Sequence, residues 1–311
     1  MTGIRPAYLN ALEAGTLRKR TAEAVEALSD CRLCPRQCGV DRLGDEKGFC
    51  QTGRSAMVSS FNAHFGEESP LVGTGGSGTI FFTHCNLLCN FCQNDDISHG
   101  GDGEAVTARH LAAMMLTLQK RGCHNINFVT PSHVVPQILE AIEVASENGL
   151  CVPLVFNTSA YDRVSTLKYL EGIVDIYMPD FKFWSAEVAE TTCGARDYPE
   201  TARGAIGEMH RQVGDLTVDP AGIAVRGLLV RHLVMPHGWA GTGDVMTHVA
   251  ERISKETYVN IMPQYRPCGR AAEVEQLRRP ITTEEFKTAI EVALKAGITR
   301  LDSRSRRFGS G

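Results

Sequence analysis

From Thr79 onward, short β-rich apolar runs alternate with amphipathic helical segments, and this alternation restricts the fold more than any other feature of the chain. Residues 79–83 read as a first strand. Thr107 then caps a helix whose Leu111, Met114, Met115 and Leu118 share one apolar face, and Gly122 stops it. Residues 125–129 read as a second strand, followed by a helix that buries Ile138, Leu139, Ile142 and Ala145 before Gly149. Strand patterns recur at 152–156, 176–178, 228–234 and 258–262, and a short seventh fits at 299–301. Helical patterns fall at 164–170, 201–213, 245–253 and 283–296. Repeated β-α units of this kind build a parallel sheet with helical crossovers. Six units are too few for a closed eight-fold barrel, so periodicity leaves a doubly wound sheet and an open barrel as alternatives.

Before the repeats, residues 6–28 read as helical, with Leu9, Leu12, Leu17, Ala24, Val25 and Leu28 giving an intermittent apolar face. Cys31-Arg-Leu-Cys34-Pro-Arg-Gln-Cys38, continued through Gly48-Phe49-Cys50, is loop-like and supplies four thiols. The chain accordingly divides into an N-terminal helix and cysteine module (1–72), a core domain (73–302) and a tail (303–311). The tail's Arg304, Arg306 and Arg307 read as a solvated end. Gly73-Thr-Gly-Gly-Ser-Gly78 is not a nucleotide loop, because it precedes a strand and lacks a following Gly-Lys-Ser/Thr; it reads as the turn into the core.

A formal charge of −4 gives no expectation of a nucleic-acid partner. The N-terminus lacks a secretory pattern and no apolar run is long enough for a membrane, so a cytoplasmic protein is expected. Of 11 cysteines, seven lie in two motifs, which argues for metal ligation in a reducing compartment over a disulfide scaffold. Cys123 and Cys151, beside strands, read as core thiols; Cys193 and Cys268 read as loop residues, with Cys268 near the barrel mouth.

Cys85-Asn-Leu-Leu-Cys89-Asn-Phe-Cys92 places three thiols in one loop with no fourth ligand after them. A four-iron cubane needs a terminal ligand on each iron, so three thiolates leave one iron open to a small molecule. Structural zinc is closed and tetrahedral and fits this spacing poorly. Cys31, Cys34, Cys38 and Cys50 are a complete four-thiolate set, suited to zinc or to a fully ligated auxiliary cluster.

The Cys85 to Cys92 pattern, with Phe91 before its last cysteine and Gln93-Asn-Asp-Asp-Ile-Ser98 after it, resembles the signature of radical S-adenosylmethionine enzymes, in particular the activase-like relatives of pyruvate formate-lyase activating enzymes. The resemblance implies an open, partial (β/α)6 TIM-like barrel with an N-terminal cysteine-rich extension. It implies a 4Fe-4S cluster on Cys85, Cys89 and Cys92, S-adenosyl-L-methionine on the open iron, and a flavodoxin- or ferredoxin-type electron donor. The implied reaction is reductive cleavage of the cofactor to a 5'-deoxyadenosyl radical that takes hydrogen from a peptide, protein or small molecule. Activation of a glycyl-radical enzyme is one alternative. A rival of another class is an iron-sulfur electron carrier or zinc-bound interaction module.

Reactive groups in parallel barrels collect at the carboxyl ends of strands. In the first loop, Asn86, Asn90, Gln93 and Asn94 read either as donors to cluster sulfurs or, for any one of them more readily, as polar residues that solvate the loop. At the second strand end the family carries a Gly-Gly-Glu stretch, whereas this chain has Val129-Thr-Pro-Ser-His133, so Thr130 and Ser132 stand where the methionyl amino group would be held. His133 reads equally as a substrate-facing acid/base and as a helix cap. Asn157-Thr-Ser159 resembles the activases' Asp-Thr-Asn, and Asp180-Phe-Lys182 their Asp-Leu-Lys, with Lys182 suited to the cofactor carboxylate. Arg231-His-Leu-Val-Met-Pro236 also resembles the family, Val234 and Met235 being expected against adenine. Tyr265 and Arg266 at the sixth strand end are expected to face substrate.

Overall fold

A computed structural model describes residues 5–307, without the side chains of Arg306 and Arg307. The reading of those two arginines and of residues 1–4 lies outside the described residues. In chain order the strands are β1 Ala56–His64, β2 Ser77–Phe82, β3 Glu104–Val106, β4 Ile126–Val129, β5 Leu154–Thr158, β6 Ile176–Pro179, β7 Thr217–Val218, β8 Ala224–Leu233 and β9 Tyr258–Met262. Six of them, β2, β4, β5, β6, β8 and β9, lie in parallel neighbour to neighbour. Among the described residues β9 does not pair with β2, so the sheet stays open. This is the expected partial (β/α)6 barrel.

Parallel strands covered on both faces carry nearly continuous apolar sequence. All five residues of β5 are buried. Ile126, Phe128, Leu154 and Phe156 pack in the main core with helix residues Leu111, Met115, Ile138 and Ile142, while Val155, Ile176, Met178 and Leu229 form a separate cluster with Leu71 and Leu216. Two N-terminal helices, Ala7–Glu13 and Thr16–Glu26, are separated at Gly15, whose φ of +70° suits glycine. Their Tyr8, Leu17 and Ala24 join the main core. The Tyr8 hydroxyl donates to the Val152 carbonyl at 3.0 Å, and the Ala7 amide donates to Asp175 at 2.8 Å.

Several elements were not legible in the sequence. β1 runs antiparallel along β2 and carries β3 on its outer side, and β7 pairs antiparallel with β8. β1 mixes Ser60, Asn62 and His64 with its apolar residues, because much of it is only partly buried, and that blurs its period. Helix Ala186–Cys193 also went unread, and its last residue, Cys193, is buried and not in a loop. Cys151 is exposed, so it is not a core thiol. The expected seventh strand shrinks to one bridge between Leu301 and Val259. The tail is packed as far as Ser305: this buried hydroxyl donates to the Ile261 carbonyl, and Arg304 donates to the Gly66 carbonyl.

Candidate active site

β2 delivers the chain through Thr83 and His84 (φ +63°) into the loop of Cys85, Cys89 and Cys92. The Leu87 amide donates to the Cys85 sulfur at 3.3 Å and the Ser98 hydroxyl to the Cys92 sulfur at 3.1 Å. The Cys89 sulfur lies 3.3 Å from that of Cys193. Burial pushes the Cys85 thiol up to about 12, helped by the neighbouring Cys89. Its bond with Cys193, then burial, raises the Cys89 thiol, and burial raises Cys92. Bare thiols in this loop are therefore neutral, and a cation that binds them must displace their protons.

Three of the loop's amide side chains follow neither reading, sulfur or solvent, and bond backbone carbonyls. Asn86 Nδ2 donates to the Tyr161 carbonyl at 2.7 Å, Asn90 Nδ2 to that of Thr191 at 3.4 Å, and Gln93 Nε2 to that of Gln264 at 3.2 Å. Asn94 stands before the short helix Asp95–Ser98 without a side-chain capping bond. Asn86 and Gln93 thus tie the cysteine loop to neighbouring loops and Asn90 ties it to helix Ala186–Cys193, which fixes the loop's path.

The β4 and β5 ends bring together four of the expected residues. Thr130, at φ +60°, donates its amide to the Asn157 carbonyl at 3.0 Å. The Ser132 hydroxyl lies 2.9 Å from that of Thr158, which donates to Asp162 at 2.5 Å; burial raises the Asp162 carboxyl to about 6. The Ser159 carbonyl accepts from the Tyr198 hydroxyl at 3.0 Å.

The strongest electrostatic feature joins β5, β6 and β8. Lys182 Nζ lies 2.6 Å from Asp180 Oδ2, Arg231 Nε donates to Asp180 Oδ1 at 2.6 Å, and Arg231 Nη2 donates to Asn157 Oδ1 at 2.7 Å. Glu67 approaches the same guanidinium at 3.7 Å. Burial alone would raise the Asp180 carboxyl, but Arg231 and Lys182 outweigh it and hold it below its ordinary value. Burial would likewise lower the Lys182 ammonium, yet Asp180 and then Cys89 keep it raised. Lys182 is thus a cation held beside the cysteine loop.

Other expected site residues are placed differently. His133 is buried with Nε2 2.9 Å from the Thr83 carbonyl and lines a cavity among the N-terminal cysteines. Burial and then the Arg42 charge lower its ring to about 3, so it is neutral near pH 7 and unsuited to proton transfer there. The Tyr265 hydroxyl donates to the Leu277 carbonyl at 2.8 Å, and its buried ring lies 6.2 Å from that of Phe91, so it supports the loop and does not face outward. Arg266 is exposed. Val234 and Met235 are buried in the main core.

Three contributors escaped the sequence reading: Cys193, Arg231 and Arg36. Arg36, inside the Cys34-Pro-Arg-Gln-Cys38 run, donates to the carbonyls of Asn86 (3.0 Å), Leu87 (3.3 Å), Cys193 (2.9 Å) and Gly194 (2.6 Å). Its guanidinium also lies 4.0 Å from the Phe49 ring centroid. An arginine between two cysteines was the available signal.

The architecture defines an open α/β barrel with a three-cysteine loop at the end of its first parallel strand. No family model matches the chain. It is 31% identical over 279 residues to the uncharacterized protein MJ0674 of Methanocaldococcus jannaschii, spanning 88% of this chain and 76% of that protein. The chain belongs to the family of MJ0674. Among solved structures, HydG, a maturase of the [FeFe]-hydrogenase, shares the fold at TM-score 0.50 and 13% identity, over 97% of this chain and 68% of HydG. The AdoMet-bound structure of anSMEcpe superposes at TM-score 0.43 and 11% identity, over 70% of this chain and 61% of its own.

Proposed function

We propose that the protein is a radical S-adenosylmethionine enzyme, with Cys85, Cys89 and Cys92 holding a 4Fe-4S cluster. The carrying observation is that these thiols share one loop with a buried cation, Lys182, beside them. The donor set fits such a cluster, and among the described residues no three His, Cys, Asp or Glu side chains converge as the ligands of a single metal ion would. When bound, the cluster and S-adenosylmethionine supply a 5'-deoxyadenosyl radical by one-electron cleavage. The chain's own part is to bind and orient: Lys182 offers a charge to the cofactor carboxylate, Asp180, itself held by Arg231, positions that lysine, and Thr130 brings an oxygen acceptor to the mouth with the buried Ser132 bonded behind it to Thr158. The substrate class stays open between a peptide, a protein and a small molecule, and a flavodoxin- or ferredoxin-type protein is the proposed electron donor.

The test is anaerobic reconstitution, reduction, and chromatography for 5'-deoxyadenosine and methionine. The wild type should form both, and Cys85→Ala, Cys89→Ala and Cys92→Ala should each form neither. Undiminished cleavage in all three variants would falsify the assignment.

A further inference from the structure

The N-terminal module carries four thiols that the proposed chemistry does not use. Cys31, Cys34, Cys38 and Cys50 line one cavity with Arg42 and His133, and its volume of about 10 Å³ is enough for a water molecule. The Phe49 amide donates to the Cys38 sulfur at 3.3 Å. A Cβ at Gly48 would meet that sulfur at 2.7 Å, so the turn closes over it only with glycine.

Among the described residues, two buried polar groups have no partner there. Arg42 is 1% exposed; its Nε donates to the Gly53 carbonyl at 3.1 Å and its Nη1 to the His133 carbonyl at 2.8 Å, with the Cys31 sulfur 3.6 Å away. Among the described residues Arg42 Nη2 has no acceptor and His133 Nδ1 has no partner. An unpaired buried guanidinium nitrogen is costly, so the cavity lacks an anionic acceptor. Metal-bound thiolates and sulfides are such acceptors.

Charge does not separate zinc from a cluster, because four thiolates leave either one net negative. Spacing does. The four thiols line one cavity, yet among the described residues no three possible ligands converge on one ion as the thiolates of a zinc site would. The first three cysteines also mirror the loop of the proposed active site: two then three intervening residues in one, three then two in the other.

We infer that Cys31, Cys34, Cys38 and Cys50 hold a second, fully ligated 4Fe-4S cluster, with Arg42 donating to its sulfurs. With no iron open, it takes up and passes on single electrons and binds no substrate. This goes beyond the function proposed above and does not depend on it.

The test counts iron, sulfide and zinc in full-length protein purified anaerobically, with Mössbauer spectra, for the wild type and two variants. The wild type should hold about eight irons, and the triple variant Cys85→Ala/Cys89→Ala/Cys92→Ala about four with the spectrum of a 4Fe-4S cluster. Cys34→Ala/Cys50→Ala should keep about four by the other loop, which covers the case of a triple variant that fails to fold. Zinc as the metal retained by the triple variant, a two-iron cluster there, or an iron count unmoved by Cys34→Ala/Cys50→Ala would overturn the inference. Failure of the radical-enzyme reading looks different: wild type and triple variant would then hold the same iron.

Discussion

Asp180 is shared by two cations, and the two are not equivalent. Arg231 grips Asp180, Asn157 and Glu67 from within the barrel, whereas Lys182 has Asp180 as its hydrogen-bonded carboxylate partner and the cysteine loop near it. Arg231→Met should therefore act on folding. Removing one partner of a buried charge pair costs about 3–5 kcal/mol, and urea denaturation should show a loss of that order. Lys182→Met leaves Asp180 paired with Arg231, so its stability effect should be smaller. Its binding effect should be larger: a hydrogen bond to a charged group contributes about 1.5–3 kcal/mol, which is a loss of tenfold or more in affinity for S-adenosylmethionine. Calorimetry on reconstituted protein measures this directly, and an unchanged Kd for Lys182→Met would remove Lys182 from the cofactor site.

Between elements, Arg36 does what no strand or helix does: one side chain from the cysteine module bonds both the three-cysteine loop and the end of helix Ala186–Cys193. Arg36→Ala should leave the barrel folded while speeding loss of iron from the Cys85 to Cys92 loop. The rate at which a chelator bleaches the cluster reports this, and equal rates in variant and wild type would show that the clamp is idle. The sequence revealed a parallel sheet because buried strands such as β5 are apolar on both faces, the family resemblance chose the open barrel over a doubly wound sheet, and the three-cysteine loop was legible because its ligands are adjacent in the chain. It hid whatever depends on distant residues meeting. Cys193 reads as a stray thiol until its helix lays it against Cys89, and Arg231 reads as one more strand residue until β8 sets it beside Asp180. His133 and Tyr265 misled for the converse reason: chemically versatile side chains at strand ends, here buried and bonded to carbonyls.

For the molecule as a whole, buried titratable groups set how stability follows pH. Burial raises the Glu67 carboxyl to about 7, with Glu68 adding to the shift and Arg231 opposing it. In the folded chain Glu67 therefore keeps its proton up to about pH 7, while the unfolded chain releases it near the ordinary glutamate value. Between those limits the native state binds more protons, so this group's contribution to stability is fully present below pH 4 and is lost as pH rises toward 7. His133 and His232 act in the opposite sense: burial holds their rings near 3 and 4, and the unfolded chain's imidazoles gain protons as pH falls below about 6.5. The wild-type curve is the sum of these slopes, and one substitution separates them. Gln at position 67 mimics the protonated acid in shape and cannot ionise, so Glu67→Gln should gain stability relative to wild type steadily from pH 4.5 to 7, because the slopes of the histidines and of the raised Asp162 and Asp175 carboxyls are common to both proteins. Urea unfolding of both proteins across that range measures the difference, and curves that stay parallel would mean that Glu67 ionises normally in the folded chain.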